Sequence, residues 1–335
     1  MKRFYTYFPI IAAIAAIIIS GCAKTRTESA KDDLRDYFLA WMEANHPDIR
    51  PSANGVYLLE ETYGSGLAYE NHDFAYIDIT IADIEGNISS TTNKKVSQQI
   101  GTFNQTYYYG PTMNAAGDNV SAGVHYILSG MRKGGTKKAI IPFWLNTYSR
   151  YDTQEEYYKN ATTSSANVMY TIHLKDFTND EDQWEIDSLE TYLAKRYRTS
   201  PDSVSYGRYY YQITPPTDEE DFPTDTTIYI NYTGRLLNGQ VFDTTIKDTA
   251  IVHNIYSSSN TYEPKKVSWA SDASSITLES SSVISGFYNT LWGMHKYEKG
   301  IGYFISSNGY SSSGSGSIIP AYSPLCFEIE IVDAP

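Results

Sequence analysis

The sequence has few of the basic residues on which nucleic-acid-binding proteins depend. Only 26 of its 335 residues are lysine or arginine, against 39 acidic residues, and the formal net charge is −13. A phosphate backbone is itself negative, so this balance argues against a nucleic-acid partner. The composition therefore favours a protein, a peptide or a small molecule as the partner.

Residues suited to metal or covalent chemistry are also scarce. The six histidines occur singly, and none lies three or four positions from another, the spacing that places two imidazoles on one ion. The sequence has no Gly-x-Ser-x-Gly motif, no phosphate-binding glycine loop followed by lysine and no Cys–His pattern. We therefore expect no metal, no cofactor and no covalent intermediate.

The longest apolar run lies at the N-terminus. Lys2 and Arg3 precede apolar residues 10–19, and Ser20-Gly21-Cys22 follows them. The run is about half the roughly 20 residues that a transmembrane helix needs, so it predicts a secretory signal peptide over residues 1–21. A cleaved signal followed by an incidental cysteine is the alternative interpretation of this segment.

The residues around Cys22, Ile19-Ser20-Gly21-Cys22, resemble a bacterial lipobox. The resemblance implies that Cys22 carries lipid, and that residues 22–30 tether the protein to a membrane. We then expect a location in the cell envelope, anchored in the outer membrane and facing the periplasm, with exposure at the cell surface as the alternative. Cys326 would be left without a partner, and its alternating apolar surroundings predict a buried strand residue.

The remaining chain repeats itself with a period of about 150 residues, which is typical of a duplicated domain. Each half contains an amphipathic helix, strands, a long loop, one short helix and closing strands. The first amphipathic helix would begin at a capping box formed by Ser29 and Asp32. The matched segments are 55–59 with 207–211, 76–79 with 229–232, 123–131 with 286–294, and 168–174 with 325–331.

This order predicts an α+β fold with mainly antiparallel sheets. We expect one domain over residues 31–178, a linker with a helix over 179–205, and a second domain over 206–335. Two long loops, 143–167 and 244–275, are rich in Ser, Thr, Asn and Tyr. Loops of this length are functional flaps or disordered segments, and the sequence leaves both open.

The second half carries five motifs in a fixed order. They are 228–245, Val283-Ile-Ser-Gly-Phe287, Gly309-Tyr310, Ile318-Ile-Pro320 and 325–331. Together they resemble the FKBP-type peptidyl-prolyl isomerases. The resemblance implies a curved antiparallel sheet wrapped around a short helix, with an aromatic pocket for a proline ring.

The family's pocket residues are matched here by Tyr232, Phe242, Asp243, Val283, Ile284, Phe287, Tyr310 and Phe327. Two departures stand out: Phe287 occupies a position where the family usually has tryptophan, and a long insertion follows Asp243. The resemblance implies catalysis by an apolar cavity, with Tyr310 donating its hydroxyl to a substrate carbonyl and Asp243 orienting neighbouring groups. Taken singly, Phe242, Val283 and Phe327 could also be ordinary core residues.

The expected function is therefore that of a folding catalyst or chaperone. Its partners would be proline-containing peptides or unfolded exported proteins. The alternative is a non-catalytic FKBP-like envelope lipoprotein that binds protein or glycan through tyrosine-rich loops such as 107–109 and 256–262.

The first half lacks the pocket motifs. Aligned through the repeat, Ile79 stands at the place of Tyr232, Ser89-Ser90 at the place of Phe242-Asp243, and Val124 at the place of Phe287. We therefore expect a diverged FKBP-like domain that serves as a scaffold, a spacer or a binding module.

Overall fold

The computed structural model describes residues 26–217 and 220–335. The predicted signal peptide and Cys22 lie outside this range. Among the described residues, no helix combines the length and apolar character needed to cross a bilayer.

The first half forms a six-stranded sheet with four α-helices. The helices are α1 (Arg26–Asn45), α2 (Lys94–Gln99), α3 (Ala122–Leu128) and α4 (Gln154–Asn160). The strands are β1 (Tyr57–Thr62), β2 (Phe74–Ala82), β3 (Ile88–Thr91), β4 (Thr112–Ala115), β5 (Thr136–Ile141) and β6 (Val168–Thr178). The order is β1-β5-β6-β2-β3, with β4 also paired to β2, and the pairs are antiparallel.

The second half forms a nine-stranded antiparallel sheet. Its helices are α5 (Glu181–Arg196), α6 (Lys247–Val252) and α7 (Ser285–Trp292). Its strands are β7 (Ser203–Ser205), β8 (Arg208–Thr214), β9 (Thr227–Leu236), β10 (Val241–Thr244), β11 (Lys265–Ser268), β12 (Thr277–Leu278), β13 (Ser281–Ser282), β14 (Lys299–Phe304) and β15 (Leu325–Val332). The central order β8-β14-β15-β9 repeats β1-β5-β6-β2 of the first sheet. The prediction of an α+β fold built on antiparallel sheets is confirmed.

The hairpins β2–β3 and β9–β10 share their hydrogen bonds as well as their position. The hydroxyl contact between Thr80 and Thr91 (2.7 Å) matches that between Thr233 and Thr244 (2.8 Å). Likewise, the Ile79 N–H donates to Thr92 Oγ1 as the Tyr232 N–H donates to Thr245 Oγ1, both at 3.0 Å. This register places Ser89 and Ser90 of β3 at the positions of Phe242 and Asp243 in β10.

Each short helix meets its sheet through a glycine. A Cβ atom added to Gly123 of α3 would lie 2.2 Å from Ile141, and one added to Gly286 of α7 would lie 2.3 Å from the Phe304 ring. Protein interiors are close-packed, so neither position has room for a side chain. The helix backbone therefore lies directly on the sheet, which fixes the segment before α7 close to the strands.

The second sheet is covered on both faces because successive strand residues point to opposite sides. Phe304 and Phe327 belong to the core that includes α7. Tyr303 and Cys326 pack instead with α5, whose Leu189 is fully buried. Helix α5 thus packs on the second sheet, and Cys326 is a buried strand residue as expected.

The helix boundaries and the long loops differ from the sequence-based expectations. Helix α1 begins at Arg26, so a cap at Ser29 is wrong and the helix reaches into the expected tether. Helix α5 begins at Glu181, where Asp180 accepts the N–H of Gln183 and caps it. The loop over 143–167 contains α4, and the loop over 244–275 contains α6 and β11. These elements are too short to produce a recognisable hydrophobic period.

Candidate active site

Five aromatic rings meet where α7 lies against β9, β10, β14 and β15. Phe287 of α7 contacts Phe327 of β15 edge-to-face with ring centroids 5.1 Å apart. Tyr232 meets the Phe287 ring at 5.6 Å, and Phe242 meets the Phe327 ring at 5.5 Å. Phe304 stacks on Phe327 from β14 at 6.0 Å. Edge-to-face pairs of this kind favour one fixed arrangement of the rings.

The site is buried at its base and partly open at its edge. Phe287 and Phe327 keep only 3% and 5% of their surface exposed. The other apolar members that pack on the same core are half-buried, namely Phe242, Val283, Ile284 and Tyr310. The aromatic base is therefore almost completely covered, and the half-buried residues form the part of the cluster that borders solvent.

Gly234 allows Phe242 to take its place. The residue lies on β9 directly opposite Asp243, and a Cβ atom there would fall 2.5 Å from the Phe242 ring and 2.9 Å from the Phe327 ring. The Phe242 ring consequently lies against the bare backbone of β9. Glycine inside a strand often marks a close approach of this kind, and that signal could have identified Gly234 from the sequence.

The polar groups of the site form a short chain at its edge. The Tyr232 hydroxyl donates to Asp243 Oδ2 at 2.7 Å. Burial, and secondly the Asp243 carboxylate, raises the pKa of Tyr232 far above its ordinary value. The same two causes raise the pKa of Tyr310. Both hydroxyls therefore stay protonated at neutral pH, and the Tyr310 hydroxyl is available to donate to a carbonyl oxygen.

The loop that carries Tyr310 is fixed from the opposite face of the sheet. Glu185 of α5 accepts the backbone N–H and the hydroxyl of Ser306, both at 2.6 Å. Ser306 begins a single 3₁₀ turn that ends at Asn308, directly before Gly309-Tyr310. The Asn308 carbonyl in turn accepts the hydroxyl of Ser285, the first residue of α7. Glu185 cannot be recognised from the sequence, because an acidic residue on an amphipathic helix usually faces water.

The structure brings all eight proposed site residues together. Tyr232, Phe287 and Phe327 belong to one buried cluster, four others pack against it, and Asp243 bonds to Tyr232. Ile318, from one of the five motifs, also packs on this cluster, as do Tyr288 and Tyr108, which the sequence does not assign to the site. Tyr108 comes from the first half of the chain, so the two halves touch beside this site. The proposed lipidation site, Cys22, lies outside the described residues.

Comparisons with solved structures give low scores. The peptidyl-prolyl cis-trans isomerase of Pseudomonas syringae pv. tomato is 22% identical, with 47% of this chain and 97% of that chain covered and a TM-score of 0.32. The three FKBP domains of wheat FKBP73 give 14% identity, 85% and 98% coverage and a TM-score of 0.30. FkpA from Escherichia coli gives 20% identity, 46% and 59% coverage and a TM-score of 0.32. No curated protein matches the chain.

A family comparison is more specific. The model described as FKBP-type peptidyl-prolyl cis-trans isomerase matches residues 219–332. The matched range contains all eight residues of the candidate site and excludes the first half. Residues 219–332 are therefore similar to an FKBP-type peptidyl-prolyl cis-trans isomerase domain.

Proposed function

We propose that the second half of the chain catalyses cis–trans isomerisation of X–Pro peptide bonds. One observation carries the proposal: within the family-matched range, the rings of Phe287 and Phe327 form an apolar base that half-buried residues, Tyr310 among them, border on the solvent side. A pyrrolidine ring entering there would lie against these two rings, with Tyr310 at the edge.

Such a site lowers the rotation barrier without an acid, a base or a metal. The barrier of roughly 18–20 kcal/mol arises from amide resonance, which makes the planar amide polar. Water stabilises that polar planar form. A site that removes this water disfavours the ground state more than the twisted transition state, in which conjugation and charge separation are lost.

The hydroxyl groups at the edge of the site would orient the substrate. The protonated Tyr310 hydroxyl donates to the carbonyl of a bound peptide and holds it in place. Asp243 is fixed by the Tyr232 hydroxyl at 2.7 Å, so its carboxylate stays at the edge and faces the rotating carbonyl. Phe287 makes a smaller base than the tryptophan usual in the family and has no indole N–H, so we expect the site to differ in shape and depth from the family's pocket.

The first half is proposed to be a diverged copy that has lost this site. The shared strand order and the shared threonine hydrogen bonds support a duplication. The loss follows from the residues themselves, because Ser89 and Ser90 stand in place of Phe242 and Asp243. Val124 likewise replaces the Phe287 ring.

The location is proposed from the N-terminal sequence. The lipobox-like residues before Cys22 support lipid attachment there, which would hold the protein in the cell envelope without a transmembrane helix. The clients would then be exported proteins that fold in the periplasm. Uncatalysed prolyl isomerisation is a slow step in protein folding, so such clients would benefit from a catalyst.

A non-catalytic binding role is the second candidate. Tyr256 and Tyr262, in the segment that the insertion adds, stack at 5.3 Å, and 46% of the Tyr256 surface is exposed. Exposed tyrosines of this kind are common in protein interfaces. On this view the aromatic site would hold a ligand without accelerating isomerisation.

Peptide exchange rates distinguish the two candidates. We would measure cis–trans exchange of a short X–Pro peptide by NMR with the wild-type chain, Phe242→Ala and Tyr310→Phe. Each substitution removes a group at the edge of the site, and we expect a loss in kcat/KM of about tenfold, equal to roughly 1.4 kcal/mol of transition-state stabilisation. Tyr63→Phe, at a tyrosine that is 81% exposed in the first half, is the matched control. Peptide binding without any acceleration at micromolar protein would favour the binding role.

A further inference from the structure

A cleft lies between the two halves, beside the candidate active site. Its volume is about 420 Å³. The first half contributes residues 89–92 of the β3 region and the tyrosines at 107–109. The second half contributes Gly316, Ser317 and Pro320. The cleft exists only in the intact chain, because its walls come from both halves.

The lining of the cleft is uncharged and rich in hydroxyl groups. None of the described residues that line it is Asp, Glu, Lys, Arg or His, although 19% of the chain is charged. Serine, threonine and tyrosine account for most of the side chains. An ionic ligand would be desolvated here without a counter-charge, which is costly. The lining therefore fits a neutral ligand with many hydrogen-bonding groups.

The strand that borders the cleft has a free edge. Strand β3 is last in its sheet, with β2 as its only strand partner among the described residues. Successive side chains of a strand point to opposite faces, yet four consecutive residues, 89–92, line the cleft. The cleft must therefore run along the edge of β3 rather than over one face. Such an edge offers unpaired backbone groups to which an extended peptide can add as a further strand.

The cleft is lined by short side chains where it borders β3. Ser89 and Ser90 occupy the positions that hold Phe242 and Asp243 in the second half. Both serines are exposed. The serines therefore place only short hydroxyl side chains at the positions where the second half carries an aromatic ring and a carboxylate. The cleft is polar where the second half has its aromatic site.

One loop separates the cleft from the candidate active site. Ser317 lines the cleft, whereas its neighbour Ile318 packs on the aromatic cluster of the site. Tyr108 of the first half donates its N–H to the Ser317 carbonyl at 2.9 Å. Gln240, two residues before Phe242, donates its side-chain amide to the Thr106 carbonyl at 2.8 Å. The first half is therefore attached on both sides of the aromatic site.

We propose that this cleft binds an extended, uncharged segment of a client polypeptide while a proline of the same client occupies the aromatic site. The proposal rests on the proposed isomerase function. A free strand edge favours a polypeptide over an oligosaccharide, since its alternating N–H and C=O groups match an extended backbone. Two linked contacts on one client increase the affinity without any new contact at the proline itself.

The test compares peptides of different length on the full chain. The long peptide carries the same X–Pro bond as the short one, flanked on both sides by serine, threonine, asparagine and glutamine. A third peptide is the long one with alanine in place of proline. We expect the long peptide to bind at least about tenfold more tightly than the short one, measured by calorimetry. The alanine peptide should keep measurable affinity.

Ser90→Arg tests the site directly, because it places a long charged side chain on the exposed edge of β3. We expect it to abolish the higher affinity of the long peptide and to leave turnover of the short peptide unchanged. Ser258→Arg adds the same charge at an exposed serine outside the cleft and should retain the higher affinity. Equal affinities of the two peptides, an undiminished affinity of Ser90→Arg for the long peptide, or binding of a neutral oligosaccharide instead would each overturn the proposal. Failure of the short peptide to turn over would refute only the isomerase function, since the alanine peptide reports on the cleft alone.

Discussion

The buried carboxylate of Glu185 should make the stability of the protein depend on pH near neutrality. Its side chain is fully buried, and both of its oxygens accept from Ser306 at 2.6 Å. Burial raises the pKa of Glu185 to about 7, and the nearby Asp182 and Glu181 carboxylates add to the effect, while the Ser306 hydrogen bonds oppose it. An unfolded glutamate titrates at about 4.3. The folded state therefore holds the proton more tightly than the unfolded state does.

The sign and size of the effect follow from this difference. A raised pKa gives a contribution to stability that is complete below a pH of about 4.3 and is lost as the pH rises through about 7. A difference of about 2.7 pKa units corresponds to roughly 4 kcal/mol in the free energy of unfolding, of which roughly 3 kcal/mol falls between a pH of about 4.5 and about 8. Glu185→Gln keeps an acceptor for the Ser306 N–H and gains a donor for its hydroxyl, but carries no charge. The variant should therefore lack this pH-dependent loss.

Urea unfolding, followed by tryptophan fluorescence, measures the effect. The free energy of unfolding of the wild type minus that of Glu185→Gln should fall by roughly 3 kcal/mol between a pH of about 4.5 and about 8. Glu190→Gln, at an exposed glutamate of the same helix α5, should show no such change. If the difference between the wild type and Glu185→Gln were the same at both pH values, the reasoning about this buried carboxylate would be refuted.

Two further predictions concern packing in the second half. Gly286→Ala should destabilise the protein by about 1–3 kcal/mol in the same urea assay, since its methyl group would overlap the Phe304 ring. Gly293→Ala, where a Cβ atom meets nothing within 4 Å, should change the free energy of unfolding by less than about 0.5 kcal/mol. Equal effects of the two substitutions would contradict the close helix–sheet contact. Burial raises the pKa of the Cys326 thiol to about 12. In a Cys22→Ser background we therefore expect no reaction with a thiol reagent at pH ~8 until urea is added, and rapid labelling of the folded protein would show that the strand is accessible.

The parts of the fold that a sequence can predict are those with long or repeated patterns. Alternation of apolar residues in 325–331 was enough to place Cys326 and Phe327 in a strand with opposite orientations. Gly123 and Gly286 stand at matching positions of the repeat, and this match locates both short helices. The eight site residues were identified from motif order, and the structure brings them together because the strands and α7 bring distant motifs to one cluster.

Other features depend on contacts between segments that are far apart in sequence. Glu185 has no local signal, since its partner Ser306 follows about 120 residues later. The cleft between the halves cannot be recognised either, because serines such as Ser89 and Ser90 are typical of any exposed strand. The sequence predicts a loop where helix α6 and strand β11 lie, since each is shorter than the window in which a period can be measured.

The glycines separate what the fold requires from what the site requires. Gly286 and Gly123 make the same contact in both halves, so they belong to the helix–sheet packing itself. Gly234 has no such counterpart, because Ile81 stands at its position opposite β3. In the second half the missing side chain leaves the space in which the Phe242 ring lies. An aromatic residue introduced at position 89 would meet the isoleucine side chain instead, so restoring an aromatic site in the first half would require at least two coordinated substitutions.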